Sequence, residues 1–318
     1  MLVYPVLGVD EVSALKISRN QTGIVLVFVL LMLVLLSVMA GSFSNSMRGG
    51  ASIIHNKKSQ LHNQEFVNAG VAYAEYMMTQ PVENQRWLAT GVAYQINFES
   101  ELIEINIYDE AGKFNINQLD KLMLLGVLRS VVSDTVQADR LADSILDWID
   151  ADDDVRENGA ERMVDSHQYA ASTSNGEEYR PANRPFRHLA ELMLVKGMTD
   201  AIYQSLRPLL TVQAIKKLDL GVATKQVLTL LSEVFGVGES WVQQIMLGRL
   251  AVGDQVFIPY EMREYATIKT SQRGRWVDVS VALSRTGNKR SVTNVLMRRK
   301  AGDAFPLFVE IDRRLVSG

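Results

Sequence analysis

The stretch GIVLVFVLLMLVLLSVMAG (Gly23–Gly41) decides how the rest of this chain is read. From Ile24 to Ala40 the only non-hydrophobic residue is Ser37, and no charged residue occurs between Arg19 and Arg48. As a helix rising ~1.5 Å per residue the run reaches about 25 Å, the short end of what a bilayer core requires. Two fates follow from the run itself. A secretory signal could be cut after Val38-Met39-Ala40, although its apolar core is normally roughly 7 to 15 residues long. Alternatively the run stays as an N-terminal membrane anchor. Lys16 and Arg19 precede it and Arg48, Lys57 and Lys58 follow it, so the positive charges do not settle its orientation.

Outward from this segment, the 318 residues are 47% hydrophobic and 22% charged, enough to bury at least one good core. The net charge of −3 argues against a surface that attracts phosphate backbone everywhere. Charge is nonetheless uneven: acids dominate from Asp120 to Glu178, whereas Arg263 to Lys300 is mostly Arg and Lys. The chain has no cysteine, which excludes disulfides, thiolate metal sites and cysteine nucleophiles.

The helix that begins in the apolar run is predicted to continue to about Gln80, with a bend at Gly49-Gly50 and a stop at Pro81. Val67, Val71, Ala74 and Met78 recur at helical spacing and give its second half one apolar face. Leu102 to Tyr108 alternates as a strand, and Asp109-Glu110-Ala111-Gly112 reads as its turn. From Leu119 to about Val212 the pattern is helical. Ala138, Leu141, Ala142, Ile145, Trp148 and Ile149 form one stripe, and PFRHLAELMLVKGMTDAIYQSLRPLLTV reads as two helices broken at Gly197. Ala223 to Leu250 adds two helices joined by Phe235-Gly236-Val237-Gly238. Strands are then expected at Tyr265–Thr270, Trp276–Leu283, Ser291–Arg298 and Leu307–Ile311, with a turn at Arg273-Gly274. Strands on both sides of a helical block indicate an α+β fold whose sheet domain is interrupted by a helical insert.

Asp150-Ala151-Asp152-Asp153-Asp154 packs like charges that repel unless they are solvated or bound to a cation. Counted from Asp150, carboxylates fall at positions one, three and five (Asp150, Asp152, Asp154), and Glu161 falls at twelve, the spacing of an EF-hand loop. Val155 stands where such a loop needs glycine, so spacing alone leaves a solvated acidic loop and a calcium site both open. Hard oxygen donors without cysteine favour calcium over zinc. The turns VKGMTDA and FGVGESWV resemble helix-hairpin-helix turns, which can hold a nucleic-acid phosphate on backbone amides. The adjoining acidic stretch opposes a polyanion, so packing is the expected role and no nucleic acid is expected. Walker A, GxGxxG, HExxH and GxSxG motifs are all missing, and the four histidines form no ligand-spaced pair, so no enzyme is expected.

A resemblance adds a third fate for the front segment. The polar, basic leader ending at Gly23, followed at once by the apolar run, resembles the processing site of type IV pilin-like proteins, in which a prepilin peptidase cuts after the glycine. Ile24 would then begin a mature chain that keeps the helix as its anchor. Most such proteins carry Glu five residues into the processed chain, and here that position is Phe28. The pilin-like family that typically lacks this Glu is the minor pseudopilin K family of type II secretion systems. IYDEAGKFNINQL (Ile107–Leu119), LADSILDWIDADDDVRENGAE, YRPANRPFRHLAELMLVKGMT and LRPLLTV are similar to that family in residue type and order.

The resemblance implies a type IV pilin-like fold, a long N-terminal helix plus antiparallel sheet, interrupted by a large α-helical insert. Residues 1–23 would be the leader, longer than the family leads one to expect, and 24–43 the transmembrane helix. Residues 44–113 would hold the pilin-like helix and first strands, 114–212 the insert, and 213–318 a helical connection and the C-terminal strands. It implies a methylated, single-pass protein of the inner membrane with its bulk in the periplasm. It also implies a place at the pseudopilus tip with I- and J-type minor pseudopilins, and Ca2+ in the helical domain. The alternative is a membrane-anchored DNA receptor or adhesin that uses the hairpin turns.

Overall fold

A computed structural model describes residues 22–81, 85–98, 101–151, 181–249, 257–268, 273–285, 288–301 and 307–316. The chain divides into two units, Met1–Asn63 and Gln64–Gly318. Helix α1 (Thr22–Met78) runs through the boundary and continues past Gly49-Gly50 without interruption. It ends two residues short of the expected Gln80, just ahead of Pro81.

In the first unit every residue from Gly23 to Phe43 is exposed, and this segment is apolar and long enough to cross a membrane. No protein core covers these side chains within the described residues, so an apolar medium is the environment that would satisfy them.

In the second unit the last turns of α1 lie on a five-stranded antiparallel sheet. Its strands are β1 (Thr90–Phe98), β2 (Glu101–Asp109), β7 (Trp276–Arg285), β8 (Asn288–Arg299) and β9 (Phe308–Val316), in the order β1-β2-β7-β8-β9. Ile103, Ile105 and Ile107 from β2 and Val277, Val279, Val281 and Leu283 from β7 point to one face. There they meet Phe66, Val67 and Ala74 of α1, with Val71 and Met78 partly buried alongside. Gly70 fits because a Cβ there would come within 3.0 Å of Val281. Glu75 is buried at the end of this helix and accepts hydrogen bonds from the Leu307 and Phe308 amides, which fixes the start of β9.

Sheet neighbours β2 and β7 are far apart in sequence, and Asp109 pairs with Val277. Everything from Glu110 to Arg275 is therefore spliced into the sheet between two adjacent strands. This inserted part holds α2 (Lys121–Arg129), α3 (Thr135–Ile149), α4 (Asp200–Leu206), α5 (Lys225–Phe235) and α6 (Glu239–Gly248). Two short parallel pairs stitch it together, β3 (Phe114–Asn115) with β4 (Leu210–Thr211), and β5 (Leu218–Asp219) with β6 (Ala266–Thr267). Asp120, Asp134, Thr199 and Thr224 cap α2 to α5 by accepting backbone amides of the first turn, each cap being worth ~1 kcal/mol.

One hydrophobic core runs through this part from Phe114 to Ala266. It includes the α3 stripe of Ala138, Leu141, Ala142, Ile145 and Trp148, and also Leu228, Leu231, Trp241 and Ile245 of α5 and α6. The packing thus continues past Val212, because α2 and α5 meet closely: a Cβ on Gly126 would lie 2.6 Å from Val234. Leu189–Leu194, expected as an α-helix before Gly197, is instead a 3-10 turn held by the Glu191 side chain, which accepts from the His188 amide. Only Leu192 of that segment is buried, too little apolar surface to sustain a full helix.

Candidate functional site

The positions expected to be processed lie at the start of α1. Gly23 has open space around its Cα, and Ile24 and Phe28 are 72% and 60% exposed. Phe28 sits amid an uninterrupted apolar surface, and no carboxylate occurs on α1 until Glu65.

Of the four carboxylates expected to hold calcium, Asp150 is described, whereas Asp152, Asp154 and Glu161 lie outside the described residues. Asp150 terminates α3: its amide donates to the Leu146 carbonyl, and its Oδ1 accepts from the Ala151 amide at 2.9 Å. Among the described residues no group of three His, Asp or Glu is placed to hold a metal. The stems of the segment are firmly joined. The Arg184 amide donates to the Trp148 carbonyl (3.1 Å), and the Trp148 ring stacks on Phe186 at 5.6 Å. Asn117 clamps Phe186 from the other side, its Nδ2 donating to the Phe186 carbonyl (2.9 Å) while its Oδ1 accepts the Phe186 amide (2.8 Å). Arg184 then pairs with Glu191 at 2.9 Å. Upstream on α3, Asp143 is fully buried and takes a salt bridge from Lys121 at 2.6 Å.

The second constellation is the junction where the helical part leaves and re-enters the sheet, and it accounts for Asp109, Glu110, Gly112 and Lys113 of IYDEAGKFNINQL. Asp109 ends β2 and turns the chain: Oδ1 accepts the Ala111 amide (2.9 Å) and Oδ2 the Gly274 amide (2.6 Å), tying exit to re-entry. Burial pushes its carboxyl up to about 6, against the two amide hydrogen bonds that favour the anion. Lys113 is buried between Glu110 (2.5 Å) and Asp278 (3.6 Å). Burial alone would lower its ammonium, but the two carboxylates hold it above its ordinary value.

Gly112 is required by contact, since a Cβ there would lie 2.6 Å from the Val222 carbonyl oxygen and 2.8 Å from Ala223. Asp219 is fully buried and receives Arg273 in a two-pronged pair, Nε at 2.9 Å and Nη2 at 2.5 Å, besides the Gly221 amide. Arg249 donates to the Leu220 and Ala223 carbonyls beside it, and burial lowers its guanidinium to about 10, with Arg273 adding to the shift. This cluster can hold two domains in one geometry; it presents no nucleophile and base pair for chemistry.

Sequence reasoning read Asp109–Gly112 and Arg273-Gly274 as separate turns and missed that one hydrogen bond joins them. It also missed Asp219 and Arg249. The one available signal was the pair of glycines, Gly112 and Gly221, beside charged residues. The two hairpin-like turns are left-handed at Gly197, Gly236 and Gly238, as expected for such loops. Their neighbours Val195, Trp241 and Val242 are buried in the helical core, which accounts for the turns by packing.

Three comparisons agree with this architecture. The family model described as type II secretion system protein K matches residues 112–214, the first part of the insert. The type II secretion system protein K of Klebsiella pneumoniae is 26% identical over 233 residues, 66% of this chain and 68% of that protein. Its counterpart in Pseudomonas aeruginosa is 26% identical over 222 residues, 60% of this chain and 61% of that protein. Among solved structures, the GspK-GspI-GspJ complex from the type 2 secretion system of enterotoxigenic Escherichia coli contains a chain of the same fold. The TM-score is 0.56 at 16% identity, covering 83% of this chain and all of that one. Fold and sequence together define a pilin-like protein with a helical insertion. In sequence and in fold the chain is similar to the type II secretion system protein K family.

Proposed function

We propose that this protein is the minor pseudopilin at the tip of a type II secretion pseudopilus, where it caps the fibre and helps to initiate its assembly. The observation that carries this reading is the splice: an apolar, exposed helix leads into a pilin-like sheet whose paired neighbours β2 and β7 are connected through a bulky helical domain. Such a bulge would collide with copies of itself along a thin fibre, which suits one copy at an end. Phe28 agrees, because a tip subunit has no neighbour stacked above it to offer an amine, and an unpaired carboxylate there would be unfavourable in an apolar bundle by several kcal/mol, roughly. The role is structural, and the charged junction serves it by fixing the helical domain on the sheet.

Prepilin peptidase would cut after Gly23 and leave Ile24 as the first residue of an inner-membrane anchor, with the second unit in the periplasm. The solved neighbour was crystallised with GspI and GspJ; in this reading the chain meets the corresponding I- and J-type minor pseudopilins. Calcium would be held by Asp150 with Asp152, Asp154 and Glu161, an all-oxygen donor set whose stems Trp148, Arg184 and Phe186 keep together. Its chemistry there would be the neutralisation of crowded carboxylates.

The experiment is co-expression of the full chain with the I- and J-type pseudopilins of the same secretion system, followed by detergent extraction and affinity purification. A stoichiometric three-protein complex with one copy of this chain supports the reading. Recovery of the chain alone, or salt-sensitive retention on DNA in its place, would replace it with the DNA-receptor reading.

A further inference from the structure

The two edges of the sheet are treated differently by the sequence. The β9 edge, FVEIDRRLV, carries Glu310, Asp312, Arg313 and Arg314, paired as Glu310 with Arg313 and Asp312 with Arg314. Charges of this kind are how proteins keep edge strands from pairing with other chains. The β1 edge, TGVAYQINF, has no charged residue and no proline. Among the described residues it pairs with β2 alone. Its one irregularity lies between Thr90 and Ala93; from Ala93 to Phe98 the ladder with β2 is regular, so the outer side presents a straight run of backbone donors and acceptors.

The side chains are equally unfinished. Val92 and Phe98 are 52% and 44% exposed, and Tyr94 and Ile96 are only partly covered by the sheet core. Trp87 lies flat on Tyr94 at 4.1 Å and meets Tyr73 of α1 at 5.4 Å, forming an aromatic shelf beside the edge. Phe66 of α1 touches Phe98 edge-on at 5.6 Å at the other end.

We infer that β1 is a pairing edge that receives an extended strand from a neighbouring pseudopilin, continuing the sheet across the subunit boundary. The backbone of an edge strand is satisfied by another strand, which selects a β-segment over a helix or a lipid surface. The charge pattern selects its composition. An acid or base opposite Gln95 or Asn97 would find no counter-charge on β1, so the incoming strand is uncharged and rich in β-branched or aromatic residues. Nucleic acid is disfavoured for the same reason, since β1 offers no cation. The identity of the neighbour rests on the tip-complex reading above.

The test is hydrogen–deuterium exchange on the full chain in detergent, alone and in the complex with the I- and J-type pseudopilins. A second arm uses the double substitution Gln95→Lys and Asn97→Lys, both at exposed positions. Alternate amides of β1 should slow at least ~10-fold in the complex while those of β9 do not change. The Lys variant should melt as the wild type does yet bind its partners about tenfold more weakly. Unchanged β1 exchange in a complex that does form, or a Lys variant that assembles normally, overturns the inference while leaving the tip reading intact. Protection already present in the isolated chain and lost on dilution would mean that a second copy takes the edge, which overturns the assigned partner. Failure of the wild type to form any complex removes the tip reading itself, and this inference with it.

Discussion

Breaking the Asp219–Arg273 pair should loosen the helical domain more than any other single change at the junction. Asp219 is fully buried, and its two oxygens accept from Arg273 Nε, Arg273 Nη2 and the Gly221 amide. Asp219→Asn keeps the shape but turns an amide donor towards a guanidinium donor, leaving Arg273 and Arg249 without their anion. Removing one partner of a buried pair costs roughly 3 to 5 kcal/mol, and the lower end applies because the Arg273 side chain is 34% exposed. For a folded unit of this size ~3 kcal/mol corresponds to a drop in melting temperature of roughly 6 to 12 °C. Arg273→Met should cost a similar amount by removing the guanidinium that neutralises the buried Asp219.

The double variant should then lose clearly less than the sum, with a coupling of at least ~1.5 kcal/mol. Thermal unfolding of the full chain in detergent, followed by near-ultraviolet circular dichroism, reads all three variants. Two single effects under ~1 kcal/mol, or a double variant in which they simply add, would show that the pair does not hold the junction.

Further consequences follow from neighbouring residues. Asp109 has a folded value of about 6, above its ordinary 3.8. The protonated form is therefore favoured by folding, and its contribution is fully present below about pH 4 and lost as pH rises through about 6. The difference in melting temperature between wild type and Asp109→Asn should change between pH 4 and pH 7 by an amount equivalent to roughly 2 kcal/mol; a constant difference would contradict the burial argument. Asn117→Ala removes both hydrogen bonds to Phe186 and should cost ~2 kcal/mol in the same melts, with faster proteolysis between Trp148 and Arg184. Gly112→Ala forces Val222 and Ala223 away from a Cβ and should destabilise by roughly 1 to 3 kcal/mol; a neutral effect would mean the two segments can separate freely. Chelation should lower the melting temperature if calcium bridges the acidic segment, and an unchanged melt with no bound metal by elemental analysis would make that segment solvated surface.

Much of the fold was legible because its strongest elements are periodic. The Ile103, Ile105, Ile107 alternation and the α3 stripe are patterns that only one face of a strand or a helix produces, and both faces are buried where expected. β1 was legible in the alternation of Val92, Tyr94, Ile96 and Phe98 with Gln95 and Asn97, and it was missed because an edge strand covers its apolar side only weakly. The two-residue pairs that close the helical part are too short to leave a period. The junction was illegible for a different reason: Asp109 and Gly274 are neighbours only after β2 and β7 have paired, so their hydrogen bond is a property of topology. Gly112 was visible as a turn residue, whereas its need for close approach to Val222 required the packed structure.

N-terminal sequencing of the mature chain, extracted from the membranes of cells that carry a working secretion system, tests the central claim most directly. The account predicts a first residue of Ile24, with the apolar helix to Phe43 retained behind it. A chain that begins at Gly41, or one that keeps the residues before Gly23 while secretion proceeds, would contradict it.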